Sequence, residues 1–299
     1  MARLASLAQG ALHRCRSAWQ GYGATVTAEP GPWMPELLCR SPLMFVVRDL
    51  ITRQECEALR SLAEESVDAD AGQGARRRSR LSVPSREEHR DVLAALDARL
   101  ESLTRADPQP WSAHASLADA SATVRDMPLG LHVDTLYAPR RFLTALLYLN
   151  DVGLGGGTVF PLAASCHDNG YVDMAARARG LHAAQHLLDV GVEHIFDADK
   201  VFPTSDNMKE SVRLLEDCCA DASRGFTMQP SAGDLLLFFM RDDNGALDAA
   251  AWHGGAAVVE GCKWTLQNFL EVPEAFMPGQ EAAYIRRCRQ HLILLSERG

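Results

Sequence analysis

The stretch Leu131-His132-Val133-Asp134-Thr135 places two candidate metal ligands one residue apart. In an extended strand alternate side chains point to the same face, so His132 and Asp134 are predicted to share a face while the valine between them packs on the other. The stretch Trp252-His253-Gly254-Gly255 offers a third candidate ligand far downstream. Two imidazoles and one carboxylate are the donor set that holds non-haem Fe(II) on one side and leaves other coordination positions open. We therefore predict a metal site formed by His132, Asp134 and His253.

A His-x-Asp triplet is a weak indication on its own, because ten histidines and 39 acidic residues in a chain of 299 give many accidental pairings. Three neighbouring stretches make the prediction stronger, since they are typical of strands and turns of one sheet. Residues 142–150 are apolar and β-prone and end at Asn-Asp, and residues 155–161 are a glycine turn followed by a short β-branched and aromatic run. Residues 225–239 have the pattern of a strand, a Pro/Gly turn and a second strand.

Four motifs follow one another along the chain: LHVD (131–134), ALLYLNDVGLGGGTVFP (145–161), MQPSAGDLLLFF (228–239) and WHGGAAVVEGCKW (252–264). In this order they resemble the prolyl 4-hydroxylase branch of the Fe(II)/2-oxoglutarate-dependent dioxygenases. The resemblance implies a mainly β fold with flanking helices (α+β). Its core would be a double-stranded β-helix, the jelly roll also found in cupins, with supporting N-terminal helices and a helical insertion.

The resemblance also assigns roles to four side chains. His132, Asp134 and His253 would bind the iron, and Lys263 would pair with the distal carboxylate of 2-oxoglutarate. A dicarboxylate that chelates iron through its keto-acid end requires a positive charge at its other end, which agrees with this assignment. Lysine is usually exposed, but Lys263 lies between a cysteine and a tryptophan in an apolar stretch, which favours burial.

Further pocket residues are less sharply defined by the sequence. Tyr148, Thr158 and Thr265 are candidates for lining the co-substrate pocket, although each could equally be a strand residue that packs against its neighbours. Members of the family commonly carry a tyrosine shortly before the first iron ligand. Here that position falls near Thr123. Either the threonine hydroxyl takes the place of the phenol or another residue does.

The function implied by the resemblance is hydroxylation of an unactivated C–H bond, with succinate and CO₂ as co-products. The substrate would be a prolyl residue of a peptide or protein, as in procollagen-proline 4-dioxygenases. The cofactors would be Fe(II), 2-oxoglutarate as co-substrate and O₂, with ascorbate as a further candidate. A proline-rich segment in polyproline II form would suit an open groove, because it is already extended. A small molecule or another amino-acid side chain remains an alternative substrate.

An alternative of another class is a non-catalytic jelly-roll binding module. The joint presence of all three ligands and of Lys263 argues against it. The formal net charge of −9 argues against nucleic acid as a partner, since binding to a polyanion requires a basic surface. The cluster Arg76-Arg77-Arg78-Ser79-Arg80 is interpreted mainly as a solvated loop, with a substrate contact as the alternative.

The length and the 47% hydrophobic content predict one large core with additions at its ends. Residues 1–39 would be an N-terminal extension, with arginines and no acidic residue before Glu29, as in an organelle transit peptide or a disordered start. Residues 40–275 would form the dioxygenase domain, with an insertion at about 162–224, and 276–299 a C-terminal helix. The compartment, cytoplasmic or organellar, and the oligomeric state stay open, and no apolar run is long enough to span a membrane.

Helices are predicted from residue 52, where Thr52 and Glu55 form a capping box, and over 87–103, 174–190, 208–219 and 281–295. Relatives usually have a short connection where this chain has the insertion, so we expect a substrate-facing lid or a partner contact there. His182 and His186 stand one helical turn apart, but without further ligands an amphipathic helix is favoured over a second metal site. The eight cysteines lack paired spacing, which favours reduced thiols.

Overall fold

Strands and helices alternate along the chain in the computed structural model, which describes residues 33–65, 76–80, 87–119, 121–124, 126–128, 130–135, 138–164, 173–195, 205–220, 225–276 and 279–298. The strands are β1 (Pro35–Arg40), β2 (Leu43–Val47), β3 (Arg76–Arg80), β4 (Ser112–Leu117), β5 (Leu131–His132), β6 (Arg141–Tyr148), β7 (Leu154–Gly155), β8 (Thr158–Phe160), β9 (His194–Ile195), β10 (Phe226–Met228), β11 (Leu235–Phe239), β12 (Gly254–Gly255), β13 (Val258–Glu260) and β14 (Cys262–Glu271). The α-helices are α1 (Arg53–Glu65), α2 (Glu87–Thr104), α3 (Met174–Asp189), α4 (Asp206–Ala220) and α5 (Glu281–Ser296), and a short 3-10 turn spans Ala249–Ala251.

The largest element is an antiparallel sheet with the strand order β1-β2-β11-β6-β14-β4-β3. Its central strands have apolar side chains on both faces, and every residue of β6 after Arg141 is buried. A strand covered on both faces gives a continuous apolar run instead of an alternating one, which is the pattern the sequence shows at 142–150. The mixed α+β class and the strands predicted at 142–150 and 225–239 are therefore confirmed.

The two faces of this sheet carry separate apolar clusters, as the two-residue period of a strand requires. One face packs against α1, α2 and α5 through side chains that include Phe45, Val47, Leu235, Leu237 and Leu266. The other face carries Met44, Val46, Leu236, Phe238 and Tyr148, and it packs against Phe160 and Met228 of the smaller sheet. The candidate site lies on this second face.

Short strands build the layer that faces the large sheet. One group has the order β10-β8-β12, and two further pairs are β13 with β7 and β5 with β9. A single antiparallel bridge between His132 and His253 joins β5 to the segment that leads into β12. The glycine run beside β8 is needed for close approach, since Gly155 has a φ of +81° and a Cβ there would lie 2.2 Å from the carbonyl oxygen of Ala257.

The predicted helices are present, each within a few residues of its expected bounds. At the start of α1 the capping box is complete. The Glu55 carboxylate accepts from the backbone N–H of Thr52 at 2.7 Å, and the Thr52 hydroxyl accepts from the backbone N–H of Glu55 at 3.2 Å. In the described part of the chain, no helix combines the length and the apolar character that crossing a bilayer would require.

The arginine-rich cluster is not a loop. Its backbone forms β3, the edge strand of the large sheet, with Arg76 opposite Ser116 and Arg80 opposite Ser112 of β4. The interpretation as a solvated loop was therefore wrong. Charged residues are a common protection for an edge strand, because they discourage pairing with another chain. At the N-terminal end, the sheet begins with β1 at Pro35, inside the stretch 1–39 that the sequence assigned to an extension.

The insertion contributes α3, β9 and α4, and these elements pack together instead of projecting away from the fold. Asp173 caps α3, its carboxylate accepting from the backbone N–H of Ala176 at 2.9 Å. His186 lies on α3, and its Nδ1 is 3.0 Å from the hydroxyl of Ser211 on α4. Cys56, Cys219, Cys262 and Cys288 are free thiols, and Cys15 and Cys166 lie outside the described residues.

Candidate active site

The three predicted metal ligands come together on two adjacent backbone segments. His132 and His253 are directly opposite each other in an antiparallel bridge: each backbone N–H donates to the other's carbonyl, at 2.8 and 2.9 Å. The centroids of their imidazole rings are 4.4 Å apart. Asp134 follows on the same segment as His132, and Val133 between them is buried. The alternation that the sequence predicted is therefore present.

The distances between the side chains suit a shared ion. Asp134 Oδ1 lies 3.5 Å from His132 Nε2, and Asp134 Oδ2 lies 3.4 Å from His253 Nε2. One ligand atom from each of the three residues falls within 4.8 Å of the others. Across the ranges that the structure describes, this is the one such grouping of histidine, cysteine and acidic side chains.

His253 is held in a defined orientation by its surroundings. Its Nδ1–H donates to the carbonyl of Ala251 at 3.0 Å, which leaves the lone pair of Nε2 directed towards Asp134. The ring stacks on Phe160 with 5.2 Å between centroids, and Phe238 meets it edge-on at 4.7 Å. At the next position, Gly254, there is no room for a side chain, because a Cβ there would lie 2.7 Å from the carbonyl oxygen of Gly130.

Asp134 is buried and supported on both its carboxylate and its backbone. The hydroxyl of Thr144 on β6 donates to Oδ2 at 2.7 Å, and Arg141 donates to the Asp134 carbonyl at 3.0 Å. Burial by itself would raise the pKa of Asp134, but the adjacent His253 and His132 outweigh it and hold that pKa well below 3.8. Burial also lowers the pKa of His132. The carboxylate is thus ionised and this imidazole neutral, the forms that bind a metal.

A second group of polar side chains surrounds Lys263 near the start of β14. Its Nζ donates to the hydroxyl of Thr158 at 3.4 Å and lies 5.5 Å from the centroid of the Tyr148 ring. The Tyr148 hydroxyl is 2.8 Å from the Thr158 hydroxyl. Lys263 is 9% exposed and the other two side chains less, so the prediction that Lys263 is buried is confirmed. Burial raises the pKa of Tyr148, which keeps its hydroxyl protonated.

Thr265 and Thr123, the two remaining candidates, differ in position. Thr265 is buried on β14, opposite Tyr148 in the sheet register and on the same strand face as Lys263. Thr123 is exposed in a turn, where its backbone N–H donates to the carboxylate of Asp126 at 2.7 Å. The phenol in the Lys263 group therefore comes from Tyr148 of the large sheet.

Strand β8 links the metal ligands to the lysine. Phe160 stacks on His253, and Thr158 contacts both Lys263 and Tyr148. The two residues are two positions apart, so they lie on one face and about 7 Å apart along the strand. A short dicarboxylate could therefore bridge from the ligand group to the ammonium group along this face.

The ligand group is open on one side. The side chain of His132 is 23% exposed, while those of Asp134 and His253 are 8% and 7% exposed. Access is thus past His132. The ring of His194 stands on that side, on the insertion strand β9, with its centroid 5.2 Å from that of His132.

Several residues with roles near the site were not predicted from the sequence. Thr144 is the only polar residue between Phe142 and Leu147, and a lone hydroxyl in a buried apolar strand is a signal that could have been noticed. Arg141 is the first residue of the same strand. Glu193, whose carboxylate accepts from the Thr135 hydroxyl at 3.0 Å, lies in the insertion and has no comparable signal.

Comparison of the chain with known proteins finds similar sequences and similar structures. No protein-family model matches the chain. "Probable prolyl 4-hydroxylase 3" of Arabidopsis thaliana is 24% identical over 256 residues, which are 82% of this chain and 74% of that protein. "Prolyl 4-hydroxylase 5" of the same plant is 25% identical over 251 residues, 80% of this chain and 72% of that protein.

The chain is similar in sequence to proteins named prolyl 4-hydroxylases.

Among solved structures, the viral collagen prolyl hydroxylase of Paramecium bursaria Chlorella virus-1 is 13% identical. It covers 85% of this chain and 98% of its own, with a TM-score of 0.45. HygX from Streptomyces hygroscopicus, solved with nickel and 2-oxoglutarate bound, is 17% identical with a TM-score of 0.42, covering 80% of this chain and 85% of its own. At such scores the relation rests on the sequence matches.

The side chains of this prolyl 4-hydroxylase-like enzyme fit the cofactors of its class, Fe(II) and 2-oxoglutarate. Two imidazoles and a carboxylate, all reachable from one point, are a facial donor set for Fe(II). The buried ammonium of Lys263 beside two hydroxyls is a site for a carboxylate. The two groups contact the two ends of one short strand, Phe160 on the side of His253 and Thr158 on the side of Lys263.

Proposed function

We propose that this chain is an Fe(II)- and 2-oxoglutarate-dependent dioxygenase that hydroxylates a prolyl residue of a peptide or protein. The observation that carries the proposal is the pairing of two sites along β8. A His-Asp-His group lies beside Phe160 at one end, and a buried lysine with two hydroxyls lies beside Thr158 at the other.

Each group has a separate task in this proposal. His132, Asp134 and His253 would hold Fe(II) and leave its other coordination positions for the co-substrate and O₂. Bound iron with 2-oxoglutarate and O₂ supplies the oxidation that converts a C–H bond into C–OH and releases succinate and CO₂. Lys263 pairs with the distal carboxylate of 2-oxoglutarate and so fixes the orientation of the keto-acid end.

The hydroxyls around Lys263 complete that carboxylate site. Thr158 has one donor and two acceptor positions, so it can accept from Lys263 and still share a hydrogen bond with Tyr148. One hydroxyl proton of the pair then remains for the carboxylate. Thr265 lies on the same face of β14, two residues along the strand from Lys263 and opposite Tyr148.

The fold that we propose is the double-stranded β-helix. The large antiparallel sheet and the layer of short strands face each other across an apolar cluster, and the candidate site lies between them. This is the arrangement in which a jelly roll keeps its ligands inside. Within the chain we assign residues 35–275 to this domain, because β1 belongs to its large sheet, with the insertion at about 162–224 and a C-terminal helix over 276–299.

The substrate class comes from the relatives, which are named prolyl 4-hydroxylases. The site opens past His132, so the reacting carbon would approach from that side, where a chain segment can lie across the opening. An extended proline-rich segment would lose little conformational entropy on binding there. A different side chain or a small molecule is the second possibility that the test below has to separate.

The experiment combines two readouts on the purified chain with Fe(II), 2-oxoglutarate and ascorbate. Formation of succinate reports the co-substrate reaction, and mass spectrometry of a proline-containing peptide library reports one added oxygen and its position. We expect succinate and an oxygen on a prolyl ring. Oxygen added elsewhere would change the substrate class. Absence of succinate under all substrate conditions, with metal binding intact, would instead favour the non-catalytic binding module.

A further inference from the structure

The insertion contacts the metal-ligand strand β5 through backbone pairing, polar side chains and apolar packing. β5 is only two residues long, and on one edge it pairs with the His253 segment. On its other edge it pairs with β9, where His132 is opposite His194 and Leu131 is opposite Ile195. The backbone N–H of Val133 donates to the carbonyl of Glu193 at 3.0 Å, which continues this pairing by one residue.

The side chains of the insertion reinforce the pairing. Thr135, which follows Asp134, donates its hydroxyl to the Glu193 carboxylate at 3.0 Å. Thr135 is 2% exposed, so this hydrogen bond is shielded from water on the threonine side. The ring of His194 lies beside that of His132, with 5.2 Å between the ring centroids. Three imidazoles therefore stand side by side across adjacent segments, and only two of them belong to the ligand group.

Apolar side chains next to the ligands pack against the insertion on the side of the strand that faces away from the site. Leu131 and Val133 flank His132 and point away from the site, and Trp252 precedes His253. All three lie in one buried cluster with the helices of the insertion, whose members include Leu187, Ile195, Val212 and Leu215. The reverse side of both ligand segments is thus packed against α3 and α4. These contacts favour a supporting role over the lid that the length of the insertion suggested.

We propose that β9 is a positioning element of the metal site, acting through the Glu193–Thr135 hydrogen bond and the His194–His132 ring contact. A two-residue strand cannot fix the direction of its side chains alone, and a strand with both edges paired and its reverse face packed can. Outer contacts of this kind orient metal ligands and change metal affinity. The proposal rests on the metal site of the proposed function, but it concerns metal binding and not turnover.

The reciprocal consequence follows from thermodynamic linkage. If β9 holds β5 in the ligand geometry, then an ion that selects that geometry must also stabilise the pairing of β5 with β9. Metal binding should therefore protect the insertion from local opening, although none of the described residues of the insertion belongs to the ligand group.

The first test titrates the metal-free protein with Co(II), a substitute for Fe(II) whose visible spectrum reports ligand geometry. We expect Glu193→Ala and Thr135→Val each to weaken Co(II) binding about tenfold and to change the spectrum. Glu193→Gln should retain near wild-type binding, because the amide oxygen still accepts from Thr135. The double variant should lose little more than either single one.

Likewise, His194→Ala should weaken binding and His194→Phe, which keeps a ring there, should weaken it less.

His182→Ala is the matched control, since His182 is an exposed histidine of the same insertion and lies on α3 away from the ligands. Thermal unfolding of the metal-free variants separates a local change from a general loss of stability. Wild-type binding and spectrum in both Glu193→Ala and Thr135→Val would overturn the proposal. So would equal losses in Glu193→Ala and Glu193→Gln. Failure of the unaltered protein to bind Co(II) would instead contradict the metal site itself.

The second test measures amide hydrogen exchange with and without Co(II). We expect slower exchange over residues 192–195 and in α3 when the metal is bound, and no change in α5, which packs on the opposite side of the large sheet. The protection of 192–195 should be reduced in Glu193→Ala at saturating Co(II). Metal binding that leaves exchange at 192–195 unaltered would overturn the linkage.

Discussion

The two halves of the active site are built in different ways. Two of the three side chains in the lysine half lie on long strands of the large sheet: Tyr148 ends the eight-residue β6 and Lys263 lies in the ten-residue β14, while Thr158 comes from the short β8. The metal half lies on β5 and next to β12, each of two residues. A long strand fixes its side-chain directions through its own ladder of hydrogen bonds, whereas a two-residue strand depends on the elements around it. The side chains of the lysine half are thus oriented mainly by the hydrogen bonds of their own strands, and the metal ligands by contacts with neighbouring elements.

This difference predicts how each half responds to substitution. Changes around Lys263 should affect only the co-substrate, because the strands there are held independently of the pocket. Changes around the ligand strand should affect metal affinity even when the altered residue is not a ligand. Four measurements compare the two halves, beginning with the strongest expected effect.

Removing a ligand should abolish the metal half alone. We expect Asp134→Ala and His253→Ala to lose detectable Co(II) binding and Fe(II)-dependent succinate formation, because two remaining donors cannot hold the ion on one face. The large sheet should stay folded, with a far-ultraviolet circular dichroism spectrum like that of the unaltered protein. His182→Ala serves as the control. Metal binding that persists in His253→Ala would remove this histidine from the site.

Removing the lysine should affect the other half alone. We expect Lys263→Ala to raise the KM for 2-oxoglutarate on the order of a hundredfold, because the distal carboxylate loses its buried cationic partner. Co(II) affinity should change by less than about twofold, because the ladder of β14 does not depend on this side chain. Lys263→Arg, which keeps a cation, should lose less. An unaltered KM in Lys263→Ala would mean that another cation binds the distal carboxylate.

Thr144 tests the contact between the two halves, because it belongs to β6 of the large sheet but donates to the ligand Asp134. We expect Thr144→Val to weaken Co(II) binding about tenfold, the usual effect of losing an outer hydrogen bond to a metal ligand. Thr144→Ser keeps the hydroxyl and should bind nearly normally. Isothermal titration of both variants checks this. If Thr144→Val shifted the KM for 2-oxoglutarate and left metal affinity unaltered, the proposed division between the halves would be wrong.

The same division explains what the sequence could predict. The strands at 142–150 and 225–239 were evident because apolar residues fill both faces of a long run, and the capping box at Thr52 and Glu55 is a local pattern. His132, Asp134 and Lys263 could be proposed because alternate spacing and burial are visible in short motifs. The edge strand at Arg76–Arg80 was not predicted, because its own residues contain no pattern that indicates pairing with β4.

The contacts of the insertion could not be predicted for a similar reason. Glu193 and His194 lie about sixty residues from the ligand strand, and only the folded chain brings β9 beside β5. Their residue types are ordinary for an exposed turn. The sequence predicted helices in the insertion from apolar spacing, but it contained no information on which surface those helices cover. Such information arises only when two amphipathic faces meet.

The smallest effect should come from the hydroxyl pair beside Lys263. Thr158 can accept from Lys263 and share a hydrogen bond with Tyr148, whichever of the two hydroxyls donates, so one proton of the pair stays available to a carboxylate. Tyr148→Phe removes one hydrogen bond without emptying the site, and we expect the KM for 2-oxoglutarate to rise about fivefold. Thr158→Val should raise it more, because it also removes the acceptor of the Lys263 ammonium. The double variant should resemble Thr158→Val, since the two hydroxyls act as one unit. Additive effects in the double variant would instead mean that each hydroxyl contacts the co-substrate by itself, and the order of the single effects would then show which one lies nearer its distal carboxylate.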